Sequence, residues 1–157
     1  MKFPSLAQLK KELNHLDNNE LQVLMVDLAK FNRDNKAYLF FKLNQLEQPN
    51  LYVEMVQEEL ESDFQNARSD HYYYAKKSAQ KIRRKMNKLL KLTKDKAQQI
   101  DVILYFCLRL KEEGFLDHRS SVLDNLYQVQ IKKAQKLVES LHPDLQYDYD
   151  LKFDELQ

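Results

Sequence analysis

One glycine, Gly114, serves all 157 residues of this chain. Only glycine takes positive φ without steric cost, so tight hairpins, dinucleotide-binding turns and phosphate-cradling loops draw on several glycines at fixed offsets. Rossmann and P-loop nucleotide sites are therefore excluded, and a many-stranded β fold is disfavoured for the same reason. Lys, Glu, Gln, Leu and Ala are abundant instead, and these are strong helix formers. The expectation is an all-α fold of about seven helices, arranged as a bundle or a short αα-superhelical stack.

Helical spacing of apolar residues places the elements. Leu6, Leu9, Leu13 and Leu16 define a first helix near 5–16, with Ser5 and Gln8 at capping-box spacing. Asp17 and Glu20 repeat that spacing ahead of Leu21, Leu24, Leu28 and Phe31, and the short break predicts an antiparallel hairpin of the two helices. A third helix carries Tyr38, Phe41 and Leu46 and stops before Pro49. Asn50 is placed to cap a fourth, with Val53, Val56, Leu60, Phe64 and Ala67 facing inward.

Ala75, Ala79, Ile82, Met86, Leu89 and Thr93 predict one long helix from Tyr73 to Leu92. Asp95 caps the next, Lys96 to Glu113, whose run Val102-Ile-Leu-Tyr-Phe-Cys-Leu108 marks it as the buried centre, and Gly114 follows in the C′ position. A last helix near Ser121–Leu141 shows Leu123, Leu126, Val129, Ala134, Leu137 and Leu141 before Pro143. Residues 1–141 thus read as a single helical domain. Residues 142–157 alternate apolar and polar side chains from Leu145 to Phe153 at a period of two, which predicts an extended, acidic and aromatic C-terminal tail.

The motifs Leu9-x-x-x-Leu13-x-x-Leu16, Leu21, Leu28 and Asn35-Lys36-x-Tyr38 resemble an uncharacterised bacterial family, domain of unknown function 6155. The similarity continues through Ala75-Lys-Lys-Ser-Ala-Gln-Lys-Ile82 and Val102-Ile-Leu-Tyr-Phe106 and so covers most of the chain. Family members end in a Gly- and aromatic-rich stretch, whereas residues 149–156 here contain no glycine. The resemblance implies a helical fold and brings no activity, cofactor or site residue with it.

Charge is strongly segregated. The chain carries +1 overall, yet from Lys76 to Lys96 ten basic residues face the single acid Asp95, a local charge of +9 that leaves −8 for the remainder. At about 100° per residue, Lys77, Arg84, Lys88 and Lys91 form one ridge opposite Ile82 and Met86. Such a ridge, with Tyr72, Tyr73 and Tyr74 as flanking stacking surfaces, suits a phosphate backbone; it also suits an anionic membrane surface or an acidic protein. The alternative is a solvated face neutralised by the acidic fourth helix or by the tail.

Other chemistries have thinner support. Glu12 with His15 and Glu139 with His142 show the Glu-x-x-His spacing of di-iron bundles, but both pairs fall at helix ends, whereas such sites lie in mid-bundle. Lone Cys107 sits in the most apolar helix, where a thiol behaves as a small hydrophobe, and no serine has the flanking glycines of a nucleophile elbow. No cofactor and no catalytic residue is expected. No segment has the length of a membrane span and no secretory signal opens the chain, so a cytoplasmic protein is expected. The leading expectation is a non-enzymatic helical interaction protein, compatible with a homodimer that buries part of the apolar stripes. The alternative is a nucleic-acid-associated protein using helix 76–96, and the weakest is a metal-dependent helical enzyme built on the Glu-His pairs.

Overall fold

The caps expected at Ser5, Asp17 and Asp95 are all formed. The computed structural model describes residues 1–156, and among them it contains eight α-helices, two short 3-10 turns and no strand. Helix α1 spans Leu6–Leu13, with the Gln8 amide donating to Ser5 Oγ at 3.3 Å and the Ser5 amide to Gln8 Oε1 at 2.9 Å. Helix α2, Asn18–Phe31, starts with the same reciprocal pair between Asp17 and Glu20, at 2.8 and 2.9 Å. Each box satisfies two otherwise orphaned amides, and a cap of this kind contributes about 1 kcal/mol. Helix α3, Arg33–Asn44, follows directly, with the Asn35 amide donating to Asn32 Oδ1 at 2.7 Å.

The helices fall into two compact units, Met1–Leu43 and a second from Asn44 onward, where the sequence suggested one domain over 1–141. In the first unit no residue of α1, α2 or α3 is buried. The packed antiparallel hairpin expected of α1 and α2 is therefore not formed: Leu6 and Phe31 are about 85 % exposed. Their stripes have helical period, but within the unit Leu16 and Leu21 are only half-buried and the other stripe residues are exposed.

The second unit holds α4 (Leu51–Gln65), α5 (Tyr72–Leu89), α6 (Lys96–Glu112), α7 (Ser121–Val138) and α8 (Pro143–Leu156). Helix α6 is the centre, touching the other four and burying Ile100, Val102, Ile103, Leu104, Phe106, Cys107 and Leu110. Phe106 meets Phe64 of α4 with ring centroids 5.8 Å apart, and Phe64 meets Phe115 edge-on at 5.9 Å. Asp95 accepts from the amides of Ala97 and Gln98, and Gly114 closes α6 at φ 72°. The positive φ of Gly114 favours glycine there, whereas a Cβ would meet only the Asp117 carboxylate, at 3.0 Å.

Four expectations need correction in this unit. Asn50 does not cap α4 with its side chain, because its own backbone is already helical at φ −89° and ψ −11°. The helix begun at Tyr72 keeps α geometry only to Leu89 and then tightens into a 3-10 turn over Leu90–Leu92, whose two leucines turn into the core. In α7 the buried row is Leu123, Tyr127, Gln130, Ala134 and Val138, so Val129 is 56 % exposed. Tyr127 takes the inward position because its hydroxyl donates to the Leu156 carbonyl at 2.6 Å.

The fourth correction is the C-terminal segment, which is helix α8 and not an extended tail. Alternation at period two conceals Tyr149, Phe153 and Leu156 at i, i+4 and i+7, and these three are its buried side chains. With no sheet among the described residues to pair with, the backbone satisfies itself as a helix. Pro143 opens it where a missing amide costs nothing. At the other end, Lys111 Nζ donates to the Glu155 carbonyl at 3.1 Å and Tyr127 to that of Leu156, supplying partners for terminal carbonyls.

Candidate basic interaction face

Helix α5 buries Ala75, Ala79, Ile82 and Met86, so its sequence must present the remaining positions to its flanks and to solvent. From Tyr72 to Leu92 there are eight basic residues and no acid. Lys77, Arg84, Lys88 and Lys91 all stand on the exposed side, together with Lys81. The N-terminus of α5 is set by His71, whose Nδ1 accepts the Tyr73 amide at 3.2 Å. The start is also tied down by Ser78 Oγ, which donates to the Arg68 carbonyl at 3.2 Å.

The two flanks of α5 differ. Toward α4, Lys85 Nζ lies 3.1 Å from Glu59 and 2.8 Å from Asp63, so the acidic fourth helix does reach the basic one, through Lys85. Toward α7, Lys133 Nζ donates to Asn87 Oδ1 at 3.2 Å. Partial desolvation lowers the pKa of the Lys133 ammonium, although the residue stays exposed. Lys81, Arg84 and Lys91 have no ion-pair partner among the described residues. The acids of α8 lie elsewhere: this helix packs on α6 and α7, and its Lys152 pairs with Asp101 of α6 at 3.1 Å.

Tyr72, Tyr73 and Tyr74 are exposed beside the ridge, but each ring already carries a cation. Lys76 stands 5.7 Å from the Tyr72 centroid, Lys77 4.4 Å from that of Tyr73, and the Arg68 guanidinium 3.8 Å from that of Tyr74. Tyr73 and Tyr74 further meet edge-on at 5.5 Å. The lysine nearest Tyr73 lowers the pKa of its phenol. These contacts order the rings as part of the start of α5.

The Glu-His pairs are separated. Glu12 lies in α1, and His15 lies beyond its end at Leu13. Glu139 ends α7, and His142, just before α8, sits 3.4 Å from Asp144. All four side chains are exposed and the two pairs belong to different units. Among the described residues no group of three or more His, Cys, Asp or Glu side chains is placed to hold a metal ion. Cys107 is buried and its thiol is pushed up to about 12 by desolvation, far from the thiolate that nucleophilic chemistry needs.

The most connected polar cluster is structural. Tyr105 Oη donates to Glu61 Oε2 at 2.6 Å, and Arg109 donates to Glu61 at 3.1 Å while pairing with Glu112 and Glu113. The Tyr105 hydrogen bond is the main cause holding the Glu61 carboxyl below the usual carboxylate range. It clamps α4 to α6 and opens onto no nucleophile.

No protein-family model, no curated protein and no solved structure matches the chain. The site therefore rests on its own geometry. The part that spacing within one segment could not show is the contribution of α7, because Lys133 and Lys136 join the basic face only through the packing of α5 on α7. A signal was present in the sequence: Lys132, Lys133 and Lys136 stand in a helix whose one acid is Asp124.

Proposed function

We propose that this protein is a non-enzymatic interaction protein whose N-terminal helices dock on an apolar surface of another protein. The observation that carries the reading is α2. Leu21, Leu24, Met25, Leu28 and Phe31 share one side of it, and Val23 and Val26 the other, so apolar side chains surround the helix. A helix hydrophobic on most faces is one that is covered, yet Val23 is 63 % exposed and Leu28 48 %. Contiguous exposed apolar surface on this scale marks an interaction site. No described helix is long and apolar enough to cross a membrane. Membership of domain of unknown function 6155 and a cytoplasmic setting belong to the same proposal and add no activity to it.

Photo-crosslinking tests the reading. With a photoreactive residue at Val26 or Leu28 in the native host, α2 is expected to capture one stoichiometric partner protein, and a second copy of the chain would identify it as its own partner. Leu28→Glu with Phe31→Glu should weaken that complex at least ~100-fold, since buried anchors carry about 2–4 kcal/mol each. Crosslinks confined to the protein's own chain would contradict the proposal.

A further inference from the structure

The chain's basic surface is wider than one helix. Along α5 and its 3-10 turn, Lys77 and Lys91 are fourteen residues apart, about 21 Å at helical rise, with Lys81 and Arg84 exposed between them. The Lys133 to Asn87 hydrogen bond joins α7 to this surface. Packed helices lie roughly 8–10 Å apart, so exposed Lys133 and Lys136 begin a second cationic row beside the first. Over these two helices and the turn the chain has eleven basic residues and one acid, Asp124. Lys85 is held by Glu59 and Asp63 of acidic α4.

We propose that this two-helix face, formed by Lys77, Lys81, Arg84 and Lys91 with Lys133 and Lys136, binds the phosphate backbone of double-stranded nucleic acid without reading its sequence. A duplex offers one negative charge per ~1.7 Å, so the ~21 Å face spans about a dozen phosphates, a repeating target for cations on a rigid helix. The aromatic contacts favour a duplex over a single strand. Tyr72, Tyr73 and Tyr74 are each engaged by a neighbouring cation, so they are not open platforms for splayed bases. A membrane surface fits less well, because between Lys77 and Lys91 no large apolar side chain of α5 is exposed for insertion.

The experiment is fluorescence anisotropy of the full chain with labelled DNA and RNA duplexes of about 20 base pairs, at several salt concentrations, with polyglutamate and phosphatidylserine vesicles as alternative polyanions. About five phosphate contacts predict a slope of log affinity on log salt near −4 to −5. DNA and RNA sequences of equal length should bind alike within each duplex type, and the tighter type identifies the ligand. Lys81→Glu, Arg84→Glu and Lys91→Glu together should reduce affinity at least ~100-fold, and the matching Gln variant should reduce the slope by about 3. The same charge change at exposed Lys10, Lys11 and Lys36 should leave most of the affinity in place. The proposal is overturned by absence of duplex binding at low salt, by equal loss in the control variant, or by polyglutamate or vesicles binding as tightly as the duplex.

Discussion

Phe106→Ala is expected to lower the unfolding free energy by about 3–5 kcal/mol, a large share of the roughly 5–15 kcal/mol that a domain possesses. Phe106 is fully buried at the middle of α6, the helix touching α4, α5, α7 and α8. Its ring lies against Phe64, which in turn meets Phe115. Truncation would leave a cavity between helices that are fixed by their other contacts, so collapse into it is limited. Denaturant titration should show a lower midpoint with an unchanged slope. A loss below about 1 kcal/mol would mean that α6 is not the centre of the second unit.

Tyr149→Ala with Phe153→Ala is the second large effect, expected at about 4–6 kcal/mol if α8 remains docked and less if it detaches and relieves the strain. The two side chains, with Leu156, are the buried row of α8, and the Tyr149 hydroxyl donates to the Ala97 carbonyl at the start of α6. Detachment has a second readout. A fourteen-residue helix that loses its packing is too short to persist in water, so far-UV helicity should fall by the share those residues contribute. An extended tail would lose no helical signal on the same substitutions.

The two cases show what was legible in sequence. The α6 stretch Val102 to Leu108 is the longest uninterrupted apolar run in the chain, which pointed to its central place. Ser5, Asp17, Asp95 and Gly114 were likewise legible, since a cap is a local device whose partner lies two to four residues away. The C-terminal segment was not. Leu145, Tyr147, Tyr149, Leu151 and Phe153 satisfy a period of two, Tyr149, Phe153 and Leu156 a helical one, and only the surface offered by α6 and α7 decides between them. In α7 the same ambiguity rotated the expected buried face, because Tyr127 and Gln130 are buried by neighbours distant in sequence. The site divides in the same way. The ridge of Lys77, Arg84, Lys88 and Lys91 follows from helical geometry, while Lys133 and Lys136 depend on which helix lies beside α5.

Charge segregation now has a structural reading. Part of the acidic surplus is used inside the second unit, Glu59 and Asp63 on Lys85, Asp101 on Lys152, and Glu61, Glu112 and Glu113 on Arg109. These pairs leave Lys81, Arg84 and Lys91 outward. The N-terminal helices carry a different deficit, one of apolar contacts. The two proposed interactions rest on these two features.

The central claim is that α1 to α3 lack an apolar cover within their own unit. Hydrogen exchange on the dilute protein tests it directly, by comparing the amides of Leu21 to Leu28 in α2 with those of Ile103 to Leu110 in α6. The account predicts that the α2 amides exchange within about a hundredfold of an unstructured chain, while the α6 amides exchange only through global unfolding. Addition of the crosslinked partner should then slow α2 and leave α6 unchanged. Protection of α2 equal to that of α6 in the dilute monomer would contradict the account.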